Sequence, residues 1–195
     1  MVISRDVVEK HKQQLEFLLN MSLKALSEAT DLVSDVSQQD MSVSLISMDL
    51  LPLETVRQDL TQFGPNMAYV RQRVTSSYAS DLLFMLPQQQ SVAFIESITQ
   101  KDNKHLSELS DQEKKVFVEI GNIILNCFLR HFSQKFNEPV NSYIPVFNQA
   151  PSEKLLKQYV SENEKTGLFY IRLNIKFIQK EFPGYILWTD PGGLY

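Results

Sequence analysis

Apolar residues recur at two different periods along this chain, and each period predicts one kind of element. Spacings of three and four mark amphipathic helices, whereas alternation of apolar and polar residues marks strands with one buried face. The helical spacing predicts five helices, at residues 4–36, 53–63, 88–100, 110–132 and 151–160. The alternating pattern predicts six strands, at residues 41–50, 66–76, 80–86, 141–147, 167–178 and 184–190. A short polar connection, KDNKH, separates the third helix from the fourth.

The second half of the sequence repeats the order of elements in the first half. Three pairs of segments correspond: Pro52 with Pro151 at an offset of 99, residues 69–74 with 170–175 at 101, and residues 81–84 with 185–188 at 104. Element order, tyrosine position and helix-starting prolines agree, which favours duplication over two unrelated segments of similar order, and the period is too long for a solenoid. We therefore predict a single domain over residues 1–195, with pseudo-repeats at approximately 4–100 and 107–195.

The order of elements also predicts the fold class. Connections between neighbouring strands are too short for parallel crossovers, so the sheet is expected to be mainly antiparallel. Both halves contribute strands, and each long helix covers the sheet with its apolar face. A chain of 195 residues, 43% of them hydrophobic, is long enough to bury a sizeable core. The predicted class is α+β, an internally duplicated unit with long helices packed on a mainly antiparallel sheet.

Charge and composition exclude several classes of partner. A net charge of −4 without a dense run of Lys and Arg gives no electrostatic footprint for nucleic acid or for an anionic membrane surface. No uncharged apolar run reaches the length of about 18 residues that a membrane-spanning helix needs. The single cysteine, Cys127, excludes an internal disulfide and falls on a helix face that is expected to be buried. These features predict a cytoplasmic protein.

The helix predicted at residues 110–132 carries the candidate chemistry. Ser110, followed by Glu113 and an apolar run, is a capping-box signal for its start. A broad apolar face is expected to be buried, and it contains Val116, Phe117, Ile120, Ile123, Ile124, Cys127, Phe128 and His131. A narrow polar stripe beside it contains Lys115, Glu119, Asn122, Asn126 and Arg130. Three further apolar residues lie just beyond the stripe, namely Val118, Leu125 and Leu129.

Other catalytic arrangements are not found in the sequence. The histidines at positions 11, 105 and 131 are scattered, and there is no zinc-binding spacing, glycine-rich phosphate loop or Gly-x-Ser-x-Gly motif. His131 falls on the apolar face of its helix and is interpreted as a packing residue. The polar stripe is therefore the remaining candidate for a functional site.

Two residues of the stripe belong to a longer pattern. Glu119 and Asn122 are three positions apart, and 22 residues separate Asn122 from Pro145. This Glu-x-x-Asn-x22-Pro pattern resembles the phosphatase signature of the CheC/CheX family of bacterial chemotaxis. A second Glu-x-x-Asn pair, Glu138 and Asn141, lacks the downstream proline, so the full spacing is more specific than the pair. The resemblance extends to the string EIGNI and the duplicated order of elements, and covers nearly the whole chain.

The resemblance implies an activity and a partner. In this family the Asn orients a water molecule in line with the aspartyl phosphate of a CheY-like response regulator, and the Glu contacts the regulator. Carried across, Asn122 would orient the water and Glu119 would anchor the partner, from one edge of a helix. The protein would need no cofactor of its own, because the regulator supplies the Mg²⁺.

Pro145 and Gly121 are expected to support the motif. Pro145 would shape the adjoining strand and leave no amide donor there, without a chemical role. A glycine inside a helix costs about 1 kcal/mol relative to alanine. For Gly121 we expect this cost to be offset by close packing against the twin helix, or by room for a partner.

Two departures from the family pattern bear on activity. CheC proteins often carry Asp or Ser four residues before the Glu, whereas this chain has Lys115, which is placed to pair with Glu119. The small residues that usually follow the motif are replaced by Ile124, Leu125 and Asn126, which brings the segment closer to CheX-like proteins. Lys115 and Asn126 are therefore candidate modulators of the site.

The first repeat lacks the motif. An offset of 100 residues places Leu19, Ser22 and Leu45 where the second repeat has its Glu, Asn and Pro. The first site is therefore expected to be degenerate, with both repeats retained as scaffold. A merely solvated helix edge is the structural alternative for the remaining pair.

The leading hypothesis is a phosphatase that acts on a phosphorylated CheY-like response regulator. The alternative is a non-catalytic adaptor or regulatory module that binds a response regulator or a CheD-type deamidase. A component related to the flagellar switch is a third possibility, which no additional domain in the sequence supports. The sequence leaves open whether the protein forms a homodimer.

Overall fold

The two periods of the sequence produce five α-helices and seven strands in the part of the chain that the computed structural model describes, residues 5–75, 79–100, 108–136, 140–158, 168–178 and 180–189. The helices are α1 (Arg5–Ser37), α2 (Leu53–Phe63), α3 (Gln88–Thr99), α4 (Asp111–Phe136) and α5 (Ser152–Leu155), the last continued by a 3₁₀ turn at Leu156–Gln158. The strands are β1 (Met41–Leu51), β2 (Asn66–Thr75), β3 (Ala79–Pro87), β4 (Asn141–Ser142), β5 (Val146–Pro151), β6 (Leu168–Phe177) and β7 (Lys180–Thr189). The connection KDNKH lies outside the described residues.

Most predicted elements are confirmed, and two are corrected. The strand predicted at residues 141–147 is divided into β4 and β5 by residues 143–145, which have no regular structure. The helix predicted from Pro151 is one α-helical turn followed by the 3₁₀ turn within the described residues. Pro151 itself is the N-cap residue, where its missing amide hydrogen costs no helical hydrogen bond.

The strands form one antiparallel sheet in the order β1-β6-β7-β3-β2-β4, and β5 also pairs with β2. The hairpin β2–β3 and the hairpin β6–β7 meet at the centre through β3 and β7. Each half then places its first strand on the hairpin of the other half, because β1 pairs with β6 and β5 pairs with β2. The predicted α+β class with a mainly antiparallel sheet is confirmed. The strand order is what two like halves would give, while the duplication itself stays a prediction.

The sheet has helices on both faces. On one face α1, α3 and α4 cover a large core that includes Phe94, Phe117 and Phe84, whose rings contact one another at centroid distances of 5.9 to 6.4 Å. On the other face α2 and α5 cover a smaller core around the stacked pair Tyr170 and Tyr185. No helix in the described ranges has the length and apolarity that crossing a membrane would require. The α4 side of the sheet carries the polar stripe.

Both ends of α4 are fixed by side chains. At its start the backbone amide of Ser110 donates to Glu113 Oε2 at 2.7 Å, and the Glu113 amide donates back to Ser110 Oγ at 3.4 Å. This confirms the predicted capping box. Near its end Arg130 and His131 both contact the carboxylate of Glu28 on α1, His131 at 2.9 Å. The long helix is therefore held in register against α1.

Candidate functional site

The polar stripe lies along α4 where the helical period predicts it. Lys115, Glu119, Asn126 and Arg130 are exposed and Asn122 is half-buried. The apolar residues flanking the stripe are packed inward; they include Phe117, Ile120, Ile124, Leu125, Cys127, Phe128 and Leu129. Because both flanks are buried or partly buried, the stripe is a narrow polar ridge on a helix that otherwise belongs to the core.

Gly121 brings this ridge close to the sheet. A Cβ atom built at Gly121 would lie 2.6 Å from Val70 Cγ2 and 2.8 Å from Val70 Cβ, which is nearer than real Cβ atoms approach. The glycine therefore packs against strand β2. The sequence had predicted close packing against the twin helix, or room for a partner. Pairwise packing between elements is not encoded in the local pattern, so the partner of this glycine could not be predicted. Its effect is to seat α4 on β2 one residue before Asn122.

Asn122 belongs to a chain of carboxamide groups that reaches into the core. Asn126 Nδ2 donates to Asn122 Oδ1 at 2.7 Å, and Gln72 Nε2 on β2 donates to Asn126 Oδ1 at 3.1 Å. Gln72 is only 1% exposed, and its Oε1 has no hydrogen-bond partner. Gln72 was not among the predicted site residues. Its alternation with Val70 and Val74 on the α4 face of β2 was the available signal.

Pro145 lies in a bulge beside the same strand. Val74 pairs with Ser142 and Arg71 pairs with Val146, so residues 143–145 stand against only two residues of β2, one of which is Gln72. A proline is accommodated at such a bulge because it has no amide hydrogen to offer the ladder. Phe147, just beyond the bulge, contacts Phe117 of α4 at 5.6 Å between ring centroids. The downstream proline of the motif thus lies near the base of the carboxamide chain.

The carboxylate of Glu119 is exposed and makes no ion pair with Lys115. The helix has an ion pair one residue earlier, where Lys114 Nζ lies 3.3 Å from Asp111 Oδ1. The pairing of Lys115 with Glu119 that the sequence suggested is therefore not formed among the described residues. Glu119 and Asn122 thus lie on the same edge of α4, Glu119 exposed and Asn122 half-buried.

The first repeat has no such edge at the corresponding positions. Leu19 on α1 is 38% exposed, and Ser22 is fully buried with its hydroxyl 3.3 Å from Met48 Sδ. Leu45 on β1 is half-buried next to a bulge at Ile46. A buried serine that contacts a methionine can neither reach a partner nor orient water. The degeneracy of the first site stays a prediction.

The fold and the ridge together define an α+β protein whose antiparallel sheet is assembled from two exchanged halves and which carries one polar helix edge. No protein-family model and no curated protein sequence matches the chain. Solved structures do: Thermotoga maritima FliY has a TM-score of 0.70 at 11% identity over 96% of this chain and 91% of that chain.

Two further solved structures define the relationship. A chain of a FliG–FliM complex from H. pylori has a TM-score of 0.64 at 16% identity, over 92% of this chain and 94% of that chain. A CheC-like superfamily protein from Shewanella sp. PV-4 has a TM-score of 0.54 at 8% identity, over 87% of this chain and 97% of that chain. The chain therefore has a CheC-like fold, as its motif predicted. The same fold is also found in flagellar FliY and FliM, which resemble it more closely in shape.

Proposed function

We propose that this protein is a phosphatase that hydrolyses the aspartyl phosphate of a CheY-like response regulator. The observation that carries the proposal is that an exposed Glu119 carboxylate and the half-buried Asn122 carboxamide lie three residues apart on one edge of α4. The motif spacing to Pro145 supports it, as does the CheC-like fold.

The proposed chemistry needs little from the protein itself. A phosphorylated regulator supplies its own Mg²⁺ and activating groups, so a phosphatase needs only to dock and to place a water in line with phosphorus. The Nδ2 group of Asn122 is directed away from Asn126, and its Oδ1 keeps one lone pair beyond the bond to Asn126. The outward face of the carboxamide can therefore both donate to and accept from a water. Glu119 would meet a cationic group of the regulator.

The test is the lifetime of the acyl phosphate on a CheY-like regulator that binds this protein. The regulator is phosphorylated with a small phosphodonor. The loss of its acyl phosphate is then followed over time with increasing amounts of the wild-type protein, Asn122→Ala and Glu119→Gln. Asn20→Ala and Glu16→Gln on α1 are matched controls, because both residues are exposed and lie on the other long helix. We expect Asn122→Ala to lower the maximal rate about 100-fold, by removing the group that holds the water.

Glu119→Gln is expected to behave differently from Asn122→Ala. Because its proposed role is docking, the concentration for half-maximal rate should rise while the maximal rate changes little. The two control variants should match wild type. Equal decay with wild type and with Asn122→Ala, for a regulator that demonstrably binds, would refute the phosphatase.

A non-catalytic binding module is the second candidate, and two observations favour it. FliY and the chain of the FliG–FliM complex have higher TM-scores than the CheC-like protein, 0.70 and 0.64 against 0.54. The bulge between β4 and β5 and the first residue of β5 also expose apolar side chains, Tyr143 at 57%, Ile144 at 86% and Val146 at 55%. Such a module would bind a response regulator, a CheD-like protein or a flagellar switch component. Stable binding that leaves the acyl-phosphate lifetime unchanged would favour it.

A further inference from the structure

We propose that Gln72 and Asn126 are positioning residues that hold the carboxamide of Asn122 with its carbonyl oxygen toward Asn126 and its amide hydrogens away from Asn126. The proposal rests on the function proposed for Asn122, and it extends the working group from the helix edge into the core. Its geometry is the chain of two hydrogen bonds, 3.1 Å from Gln72 to Asn126 and 2.7 Å from Asn126 to Asn122.

The direction of this chain follows from its buried end. The Oδ1 of Asn126 accepts from Gln72, so the Nδ2 of Asn126 faces Asn122. The Oδ1 of Asn122 therefore accepts this hydrogen bond. Reversing all three groups would leave the amide of Gln72 buried without a partner, in place of its Oε1. Buried amide donors without partners are rarer in proteins than unpaired carbonyl oxygens. The structure thus contains the less costly of the two directions.

The base of the chain is rigid. Gln72 is 1% exposed and lies on the same face of β2 as the fully buried Val70, on which Gly121 seats α4. An apolar side chain at position 72 would avoid an unpaired buried oxygen, so packing alone does not explain a glutamine there. Fixing the orientation of Asn122 would explain it, because a group that positions water must itself be held.

Asn126→Asp tests the direction of the chain without disturbing the core. Asn126 is exposed, and an aspartate there accepts from both neighbours, so Asn122 must turn its Nδ2 toward position 126 and its Oδ1 away from it. Asn126→Ala removes the same donor without adding charge, and Gln72→Leu detaches Asn126 from the core. Asn20→Asp on α1 is the matched control, since it adds the same charge at an exposed helical asparagine.

The first measurement is the side-chain amide signal of Asn122 in the ¹⁵N NMR spectrum of the free protein, assigned from its loss in Asn122→Ala. We expect this signal to shift in Asn126→Asp, where the amide becomes a donor to a carboxylate. In Asn126→Ala and Gln72→Leu we expect it to show increased fast motion. Asn20→Asp should leave it unchanged.

The second measurement is the decay of the phosphorylated regulator at saturating protein. We expect Asn126→Ala and Gln72→Leu to lower the maximal rate about tenfold at unchanged half-saturating concentration, because docking is intact and orientation is lost. An Asn122 amide signal that is the same in wild type and Asn126→Asp would overturn the proposed direction of the carboxamide chain. Unchanged maximal rates in these variants, where Asn122→Ala abolishes activity, would overturn its positioning role. If the acyl phosphate decays equally fast with Asn122→Ala and with wild type, the proposed function is refuted. The positioning role of Gln72 and Asn126 in catalysis is then refuted with it.

Discussion

Gly121→Ala is expected to destabilise the protein although alanine is the better helix former. The substitution gains about 1 kcal/mol of helix propensity. The new methyl would lie 2.6 to 3.1 Å from three atoms of Val70, a fully buried residue whose β-branched side chain is stiff about χ1. Relief therefore requires α4 to move away from β2, and overpacking of this kind costs about 1–3 kcal/mol. The clash extends to the Cβ of Val70, which places the cost at the upper end, so we expect a net loss of about 1–2 kcal/mol.

The assay is urea unfolding followed by circular dichroism, with wild type, Gly121→Ala, Val70→Ala and the double variant. Val70→Ala alone should lose roughly 2 kcal/mol by removing two buried methyl groups. In its background the alanine at position 121 should cost less, because the contacts with both γ-methyl groups are gone while the contact with the Cβ at position 70 remains, a coupling of about 1 kcal/mol. Gly184→Ala is a matched comparison. Its nearest neighbour is the flexible end of Ile175 at 2.8 Å, so its loss should be smaller.

Equal or higher stability of Gly121→Ala, together with additive effects in the double variant, would refute the reasoning. It would mean that α4 relaxes from β2 at no cost and that Gly121 is not what seats the helix. A maximal phosphatase rate lowered in Gly121→Ala and restored in the double variant would connect this seating to the position of Asn122.

The remaining predictions concern the helix start and the effect of pH. In urea unfolding, Ser110→Ala should lower the free energy of unfolding by about 1 kcal/mol, because it removes the cap of α4. Asp111→Ala, at an exposed position of the first turn, should lower it by less than about 0.5 kcal/mol. Equal losses in the two variants would contradict the capping role. Burial raises the pKa of the Cys127 thiol, so a thiol reagent should modify it at the rate of global unfolding, and fast labelling of the folded protein would contradict this. Burial, with the bond to Asp59, also raises the pKa of Tyr170. Its stabilising contribution is therefore complete below the unfolded pKa of about 10 and is lost as pH rises above it, so the urea midpoint should fall above about pH 10 and a constant midpoint would count against it.

Local periodicity predicted almost every element, but not the places where pairing departs from it. In β1 the apolar residues are at odd positions up to Leu45 and at even positions after it. A bulge at Ile46 shifts the register by one residue, so that Met48 returns to the buried side. The sequence shows the change of phase, whereas the bulge depends on the register with β6. Pro145 marks the second irregularity, where a single predicted strand becomes β4 and β5.

The helix edge was predictable for a different reason from the residues that support it. Glu119, Asn122 and Asn126 share one helix, so a period of 3.6 is enough to align them. Gln72 is 54 residues away from Asn126 and meets it only because β2 passes beneath α4. Sequence spacing therefore finds the side chains that face a partner, while the groups behind them depend on tertiary packing.

The two long helices show what the fold requires at these positions. On α1 the positions 100 residues before the stripe are Leu15, Leu19, Ser22, Leu26 and Thr30, of which Leu15 and Leu19 are each 38% exposed and Ser22 and Leu26 are buried. On α4 the corresponding line is polar and is anchored to the sheet by a buried glutamine with an unpaired oxygen. Both helices cover the same sheet, so the architecture accepts either an apolar or a polar edge. Because α1 covers the same sheet without a polar line at these positions, the fold alone does not account for the Asn122 edge.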